Sequence, residues 1–346
     1  MKSTHISTLS VSLALRSSTA KLQASLPRLQ QELVTGKHAD SGLSLGAESR
    51  KLASFKNDIN HISRLIDTNA QVKTRLSMTQ ESMSRLNGLA SDLMNAVGIV
   101  LGDPSENFAA ELTANNVLAE MTAILNTQAN GVFLFSGVNS DTKPIADYAG
   151  GPGKAAFDAA FLGHFGFTKN DPAAAALTAA DIDNFLTVSA EPLFMGAAWN
   201  TNMSTATDEV TISRISAGVT AETSVSANDA SFRRLMLAAV VGVELYDSNL
   251  GGEALQQVSE YIISSAGSAA GSLTELQGET GLVEERLRRA SDHLTAQKSL
   301  LETFASEMES IDPYKTSIEL NTLLTQVETS YSITSRIQTL SIMRFL

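Results

Sequence analysis

The sequence has no cysteine, which excludes disulfides, thiol nucleophiles, iron–sulfur clusters and cysteine-based zinc sites. It leaves the compartment open, since a disulfide-free chain works on either side of a membrane. Aromatic residues are only 5%, with one tryptophan, Trp199. Bulky core-fillers are therefore scarce, and a chain rich in Ala, Ser, Thr and Leu suits long, thin helical packing better than a thick globule. Positive charge is short as well: 25 Lys and Arg stand against 37 Asp and Glu, a formal net charge of −12. Such a chain lacks the basic face of a nucleic-acid binder, so no nucleic-acid partner is expected. No run approaches the roughly 18 to 20 consecutive apolar residues of a membrane span, so no membrane insertion is expected. The apolar stretch from Ile6 to Leu15 is interrupted by serines and no small-x-small site follows it, which argues against a cleaved secretory leader.

With 346 residues and 43% hydrophobic content, the chain has room for two or three domains and enough apolar material for a core. The first stripe runs Val11, Leu15, Ser18, Leu22, Leu26, Leu29 and Leu33, in the steps of three and four that align one face of a helix. Gly36 closes it, and Gly42 and Gly46 follow in a linker. A second stripe, without proline, begins near Leu43 and includes Leu52, Phe55, Ile59, Ile62, Leu76, Met83, Leu86, Leu93 and Val97 before ending at about Val100. Roughly 58 residues at helical rise make a rod on the order of 85 Å, which needs a partner helix alongside. Gly102-Asp103-Pro104 is a turn, Ser105 and Glu106 open another helix to about Asn130, and Val132 to Phe135 reads as a short strand after the Asn130-Gly131 turn. Residues 141–228 differ: four of the seven prolines, Gly150-Gly151-Pro152-Gly153 and Trp199 lie there, which excludes a continuous rod. Val210 and Ile212, with the alternation from Val219 to Ala227, predict a pair of strands across Ser216-Ala217-Gly218. Helical periodicity returns at about Ala230, with glycine interruptions at Gly251-Gly252, Gly271 and Gly281, and lasts to Ile311. Asp312-Pro313 breaks it, and Leu320, Leu324, Val327, Tyr331, Ile333, Ile337 and Leu340 form a final stripe.

The layout is symmetrical, so the expected fold is mainly α: a long antiparallel, coiled-coil-like helical rod made by the N- and C-terminal segments, with a small α+β insert in the middle. The corresponding division is 1–42 with 312–346 as terminal assembly helices, 43–140 with 229–311 as the rod, and 141–228 as the insert. Apolar stripes on two short terminal helices bury little within one chain and call for a partner. The expected assembly interface is therefore Leu15, Leu22, Leu26, Leu29, Leu33, Leu320, Leu324, Val327, Tyr331, Ile337 and Leu340. Short helices of this kind need tertiary contact, so roughly the first 40 and last 35 residues are expected to become helical only on assembly.

Chemistry finds little purchase. His5, His38, His61, His164 and His293 offer no i, i+3 or i, i+4 pair for a metal. Asp181-Ile182-Asp183-Asn184 opens like a calcium loop but has Leu186 where glycine and Pro192 where glutamate is required, and reads instead as a helix cap or turn. Gly150-Gly151-Pro152-Gly153-Lys154 lacks the first glycine and the final Ser or Thr of a phosphate cradle, with Tyr148 and Ala155 in those places. The charges from Glu284 to Arg289 read as a solvated helix face. No catalytic, cofactor or metal residue is expected.

Three segments carry a family resemblance. Arg28-Leu29-Gln30-Gln31-Glu32-Leu33-Val34-Thr35-Gly36-Lys37 resembles the helix-end motif of bacterial flagellins and their junction relatives. Asn130-Gly131 and the following Val132-Phe133-Leu134-Phe135-Ser136-Gly137 resemble the turn of that superfamily and, more narrowly, the aromatic-Leu-Phe-Ser-Gly run of its hook–filament junction members. The helix from Ile311 to Leu346, with Tyr331-Ser332-Ile333-Thr334-Ser335-Arg336-Ile337, is similar to the superfamily's C-terminal helix. Gly36, Lys37, Asn130, Gly131, Phe133, Phe135 and Gly137 are the motif positions. The resemblance covers about residues 1–140 and 228–346. It implies a structural flagellar protein, secreted unfolded without N-terminal cleavage through the flagellar type III apparatus and located outside the cell at the junction of hook and filament. Its implied partners are further copies of itself, the other hook-associated junction protein, flagellin, and an export chaperone on the C-terminal helix. A filament flagellin is the main alternative, and a ligand-binding or enzymatic insert a more distant one.

Overall fold

The computed structural model describes residues 8–103 and 106–342. They form two compact units, the described parts of residues 1–63 with 295–346 and those of residues 64–294, here the terminal and central units. The terminal unit holds α1 (Thr8–Thr35), α2 (Ser41–Leu45), the start of α3 (Ser49–Gly102), the end of α10 (Gly252–Glu309) and α11 (Pro313–Ile342). Pro27 lies inside α1, where its missing N–H leaves the Gln23 carbonyl without its i+4 donor. Asp40 caps α2 by accepting from the Leu43 amide at 2.9 Å. Phe55 of α3 meets Phe304 of α10 with ring centroids 6.2 Å apart, while Leu52, Ile62 and Ala305 are buried nearby in sequence.

In the central unit the remainder of α3 runs antiparallel to α10. Polar side chains fix the register: Asn69 donates to Ser291 Oγ at 3.1 Å, Ser77 to Glu284 at 3.2 Å, Gln80 to the Gln277 carbonyl at 2.7 Å and Asn87 to Thr274 at 3.2 Å. Position numbers fall on one helix as they rise on the other, as in an antiparallel pair. Two further helices complete a bundle, α4 (Asn107–Leu125) and α9 (Ala230–Tyr246). α9 crosses α4 at Gly242, where an added Cβ would stand 2.8 Å from Ala114 Cβ. Tyr246 on α9 then shares a 2.8 Å hydrogen bond with Ser259 on α10.

Several element boundaries differ from the periodicity. The helical stretch expected from about Ala230 to Ile311 is two helices, and of its glycine interruptions only Gly251-Gly252 coincides with a break, at residues 247–251. Gly271 and Gly281 lie within α10, although glycine costs about 1 kcal/mol in a helix interior. A Cβ added at Gly267 or Gly281 would meet Met94 Sδ or Gln80 Nε2 at 3.6 Å, an ordinary contact, and one at Gly271 would meet nothing within 4 Å, so α3 does not require these glycines for its approach. The strand expected over Val132–Phe135 pairs only at Val132–Phe133 (β2), against Gln128–Ala129 (β1). A second hairpin, β3 (Ile212–Ser216) with β4 (Val219–Glu222), turns at Gly218 in the left-handed region, φ +74°. Beyond Glu222 one further bond stays in register, Thr223 donating to Thr211 at 2.8 Å, and the chain then changes partner, Ser226 bridging Ser136 and Ala227 donating to Phe135 at 2.7 Å.

Between β2 and β3 the chain forms α5 (Pro152–Phe165), α6 (Ala179–Asn184), a π-helical turn at Phe185–Ala190, α7 (Glu191–Met195) and α8 (Trp199–Asn202). The aromatics that the chain otherwise lacks gather here. Phe185 packs edge-on against Phe157 and Phe161 at 5.6 and 5.1 Å, geometries the ring quadrupoles favour. The apolar core continues from Met83 and Leu93 through Phe157, Phe185 and Trp199 to Val240 and Leu273. A satellite cluster of Val72, Leu76, Ile215, Ala221 and Leu287 seats the β3–β4 hairpin on the helix pair, and buried Asn69 donates to the Ile215 carbonyl at 2.9 Å.

Candidate assembly interface

The terminal unit is built on two chain segments that meet at their ends. α1 stops at Thr35, and Gly36 adopts φ +69° while its amide bonds back to Glu32 at 2.8 Å, a left-handed helix terminus that glycine takes without steric cost. Directly beyond it, Lys37 pairs antiparallel with Ser310. The His38 amide donates to the Glu309 carbonyl at 2.9 Å and the Ile311 amide to the Gly36 carbonyl at 3.0 Å. Asp312 then caps α11 by accepting from the Tyr314 and Lys315 amides. The Gly36-Lys37 motif is thus a joint that pins the turn after α1 to the turn between α10 and α11.

One carboxylate braces the joint from the side. Glu309 is largely buried and accepts from Lys56, and from Lys37 at 2.9 Å. The hydrogen bond from Lys56 first, then that from Lys37, outweighs burial and holds its carboxyl below the ordinary range. A carboxyl depressed on folding stabilises above its unfolded pKa, about 4.3 for glutamate, and that contribution disappears as pH falls through the folded value. Both lysines are about half exposed, so the contribution is no more than about 1 kcal/mol. Replacing Glu309 by Gln is expected to speed exchange of the His38 and Ile311 amides by about fivefold at neutral pH. The difference from wild type should vanish in acid, and equal rates at neutral pH would show the joint to be independent of this carboxylate.

From the joint, α1 and α11 pack along each other, and the stripe residues divide between two surroundings. Leu29 and Val327 are 6% and 9% exposed. Leu15, Leu22, Leu26, Leu33 and Leu320 are half-buried, whereas Leu324 and Tyr331 are exposed. The hydroxyl of Tyr331 accepts from Gln23 of α1. The side chains of Val11, Ile337 and Leu340, and residues 343–346, lie outside the described residues. Leu13, Val34, Tyr314, Ile318 and Ile333 are exposed too, so apolar surface lies open beside a thin buried seam. Part of the expected interface is thus used in pairing α1 with α11, and the open remainder includes Val34, Tyr314 and Ile318, which period-counting left out.

The motif after the bundle has a different role. Asn130 (φ 54°) and Gly131 (φ 79°) make the two-residue turn between β1 and β2, with both residues in the left-handed region that such a hairpin needs. Phe133 is half-buried; Phe135 is fully buried and edge-on to Phe232 of α9 at 5.5 Å. Gly137 has φ +69°, and a Cβ there would lie 2.6 Å from the carbonyl oxygens of Thr207 and Glu209. Gly137→Ala is therefore expected to lose about 2 to 3 kcal/mol, while Gly131→Ala, with open space around it, loses about 1 kcal/mol. Denaturant midpoints of the two variants measure this, and equal losses would contradict it.

Features weighed for chemistry resolve as structure. Asp181 accepts from the Thr178 amide and hydroxyl at 3.0 and 2.7 Å, capping α6, and those hydrogen bonds lower its pKa. Lys154 points to Glu244 of α9, bonding both carboxylate oxygens at 2.8 and 2.7 Å. Arg288 and Arg289 pair with Glu285 and Asp292 on an exposed face of α10. Among the described residues no group of three His, Asp or Glu could hold a metal ion, and no helix is long and apolar enough to cross a membrane.

Glu244 and Glu309 escaped the sequence reading. Each is a lone glutamate whose partners lie far along the chain, 90 residues for Lys154 and 272 for Lys37. The one available signal for Glu244 is a carboxylate inside the apolar run from Leu235 to Leu245.

Comparison with known proteins bears on the same two flanks. Residues 6–140 match the family model of the bacterial flagellin N-terminal helical region, and residues 263–346 that of the C-terminal helical region. The chain belongs to the bacterial flagellin superfamily. The two matched regions take in α1, α3 and α4 on one side and most of α10 with α11 on the other. Both strands of the joint therefore lie within flagellin-type sequence. Among solved structures, a candidate flagellar hook-associated protein from Vibrio parahaemolyticus superposes with a TM-score of 0.53 at 12% identity, over 76% of this chain and 97% of that one. At that identity the likeness is one of fold. A FlgL structure from Bacillus cereus matches at 10% identity and a TM-score of 0.38, over 75% of this chain and 97% of its own. No match was found among curated proteins. Flagellins are structural proteins of the bacterial flagellum, and the mainly helical architecture with its small strand-bearing middle fits that family.

Proposed function

We propose that this flagellin-superfamily chain is a structural adaptor at the junction of hook and filament. The observation that carries the reading is the paired α1–α11 end of the chain: flagellin-type on both strands, with a thin buried seam and open apolar residues beside it. The Phe133–Gly137 run favours the junction over the filament, because it matches the junction pattern rather than the general flagellin one. In this reading residues 1–42 with 312–346 bind neighbouring copies, residues 43–140 with 229–311 form the surrounding shell, and 141–228 faces outward. The other hook-associated junction protein lies on one side and flagellin on the other. Export proceeds through the flagellar type III apparatus without N-terminal cleavage, with a chaperone on the C-terminal helix beforehand.

Deleting the gene is expected to leave hooks without attached filaments and to release filament subunits into the medium. Normal hook–filament joints in the deletion strain would overturn the reading. A missing filament with no flagellin in the medium would favour a filament subunit instead. The thin seam gives a second expectation: in the purified monomer, the amides of Leu22, Leu29 and Val327 exchange with little protection, since short helices depend on tertiary contact. Strong protection at all three would show that the terminal helices are formed before assembly.

A further inference from the structure

Charge is distributed unevenly along the first half of the chain. Residues 86–142 contain no Lys, Arg or His, but six carboxylates: Asp92, Asp103, Glu106, Glu111, Glu120 and Asp141. Immediately before them, residues 64–85 carry Arg64, Lys73, Arg75 and Arg85 against Asp67 and Glu81. The central unit is therefore acidic around the α3–α4 turn and basic earlier on α3.

Each region also has an apolar feature. Phe108 and Leu112, one turn apart on α4, are 72% and 54% exposed, and Ile99 on the last turns of α3 is exposed as well. Phe108 and Leu112 form a knob that Glu106 and Glu111 flank in sequence. Earlier on α3, a groove of about 710 Å³ is floored by Met78 and Ile124 and edged by Lys73, Arg85 and Glu81. Arg85 shares its charge with Glu81 at 3.3 Å, which leaves Lys73 as the groove cation with no ion pair among the described residues. Isolated exposed apolar residues are ordinary, but an acid-flanked apolar knob and a base-edged apolar groove on one unit are complementary in shape class and charge.

We infer that the knob at Phe108 and Leu112 seats in the Lys73–Arg85 groove of a second copy of this chain. Knob and groove are different surfaces, so the contact is heterologous and propagates from copy to copy, into a closed ring or an open helix depending on the rotation. The inference deepens the assembly reading by adding a contact outside the terminal helices, and rests on it for the presence of neighbouring copies.

The absence of native cysteine makes the test direct. Chains carrying Phe108→Cys and chains carrying Thr74→Cys, at the exposed groove edge, are co-expressed and oxidised within isolated flagella. A disulfide-linked dimer is expected from the mixture, a ladder from the doubly substituted chain, and no dimer from either single variant alone. Adding Lys73→Glu should lower the yield about tenfold, and adding Glu111→Lys to the Lys73→Glu background should restore it. Chains that are present in the flagella yet form no mixed link, or that link Phe108→Cys to itself or to another protein, would overturn the contact. If the wild-type chain is absent from flagella, the junction reading fails. The concentrated purified chain then carries the same cross-linking test, and a missing mixed link there overturns the contact too.

Discussion

Replacing Glu244 by Gln is expected to lower the stability of the central unit by about 3 to 5 kcal/mol, the loss typical when one member of a buried ion pair is removed. The Glu244 side chain is 1% exposed and bonds Lys154 and Lys169, while Lys169 also donates to the Glu244 carbonyl at 3.0 Å. Burial alone would raise the carboxyl pKa; hydrogen bonds from Lys154 and Lys169 outweigh it and leave the group below its ordinary value. Glutamine keeps the shape but strands Lys169, which has little solvent of its own. Because the folded carboxyl is depressed, its contribution is complete above the unfolded pKa of about 4.3 and fades as pH falls through the folded value. Lys154 shows the opposite sign: burial lowers its pKa, but the bond to Glu244 and attraction to it outweigh that and raise it. Its contribution therefore persists below the unfolded lysine value and is lost only as alkali passes the folded one. Chemical denaturation across pH measures both limbs. A Glu244→Gln chain as stable as wild type at neutral pH would show the triad to be unimportant.

Ending the chain before Pro313 is the second large effect, and it should separate folding from assembly. The apolar clusters of the central unit draw on no residue beyond Ala290, so the shortened chain is expected to keep that unit's cooperative melting transition within a few degrees. Incorporation into flagella should be abolished, because the truncation removes α11, the seam residue Val327 and the open residues Tyr314 and Ile318. Electron microscopy and immunoblotting of isolated flagella read the second outcome, calorimetry the first. Flagella that still incorporate the shortened chain would sink the terminal-helix reading, and a collapsed transition would show that the central unit depends on its ends.

Helix periodicity made the long helices legible, since a stripe such as Leu76, Met83, Leu86, Leu93 and Val97 has no other use at that length. The Asp312-Pro313 break and the Asn130-Gly131 turn were equally readable, because each is enforced by local backbone chemistry. The uninterrupted passage of α10 through Gly271 and Gly281 was not: glycine's cost is local, whereas the packing that carries the helix through it is tertiary. Among the interface residues, Val327 and Tyr331 lie on one stripe of α11 yet are 9% and 52% exposed. A stripe gives the face of a helix but not whether its own chain or another covers it. Glu244 and Glu309 were illegible for a related reason, as their meaning lies entirely in lysines supplied by distant segments.

The joint between Gly36 and Glu309 also has a consequence in time. Its two strands are 272 residues apart, so its hydrogen bonds cannot close until the later strand has been synthesised. A growing chain thus carries this latch undone, and only one that is nearly finished can shut it.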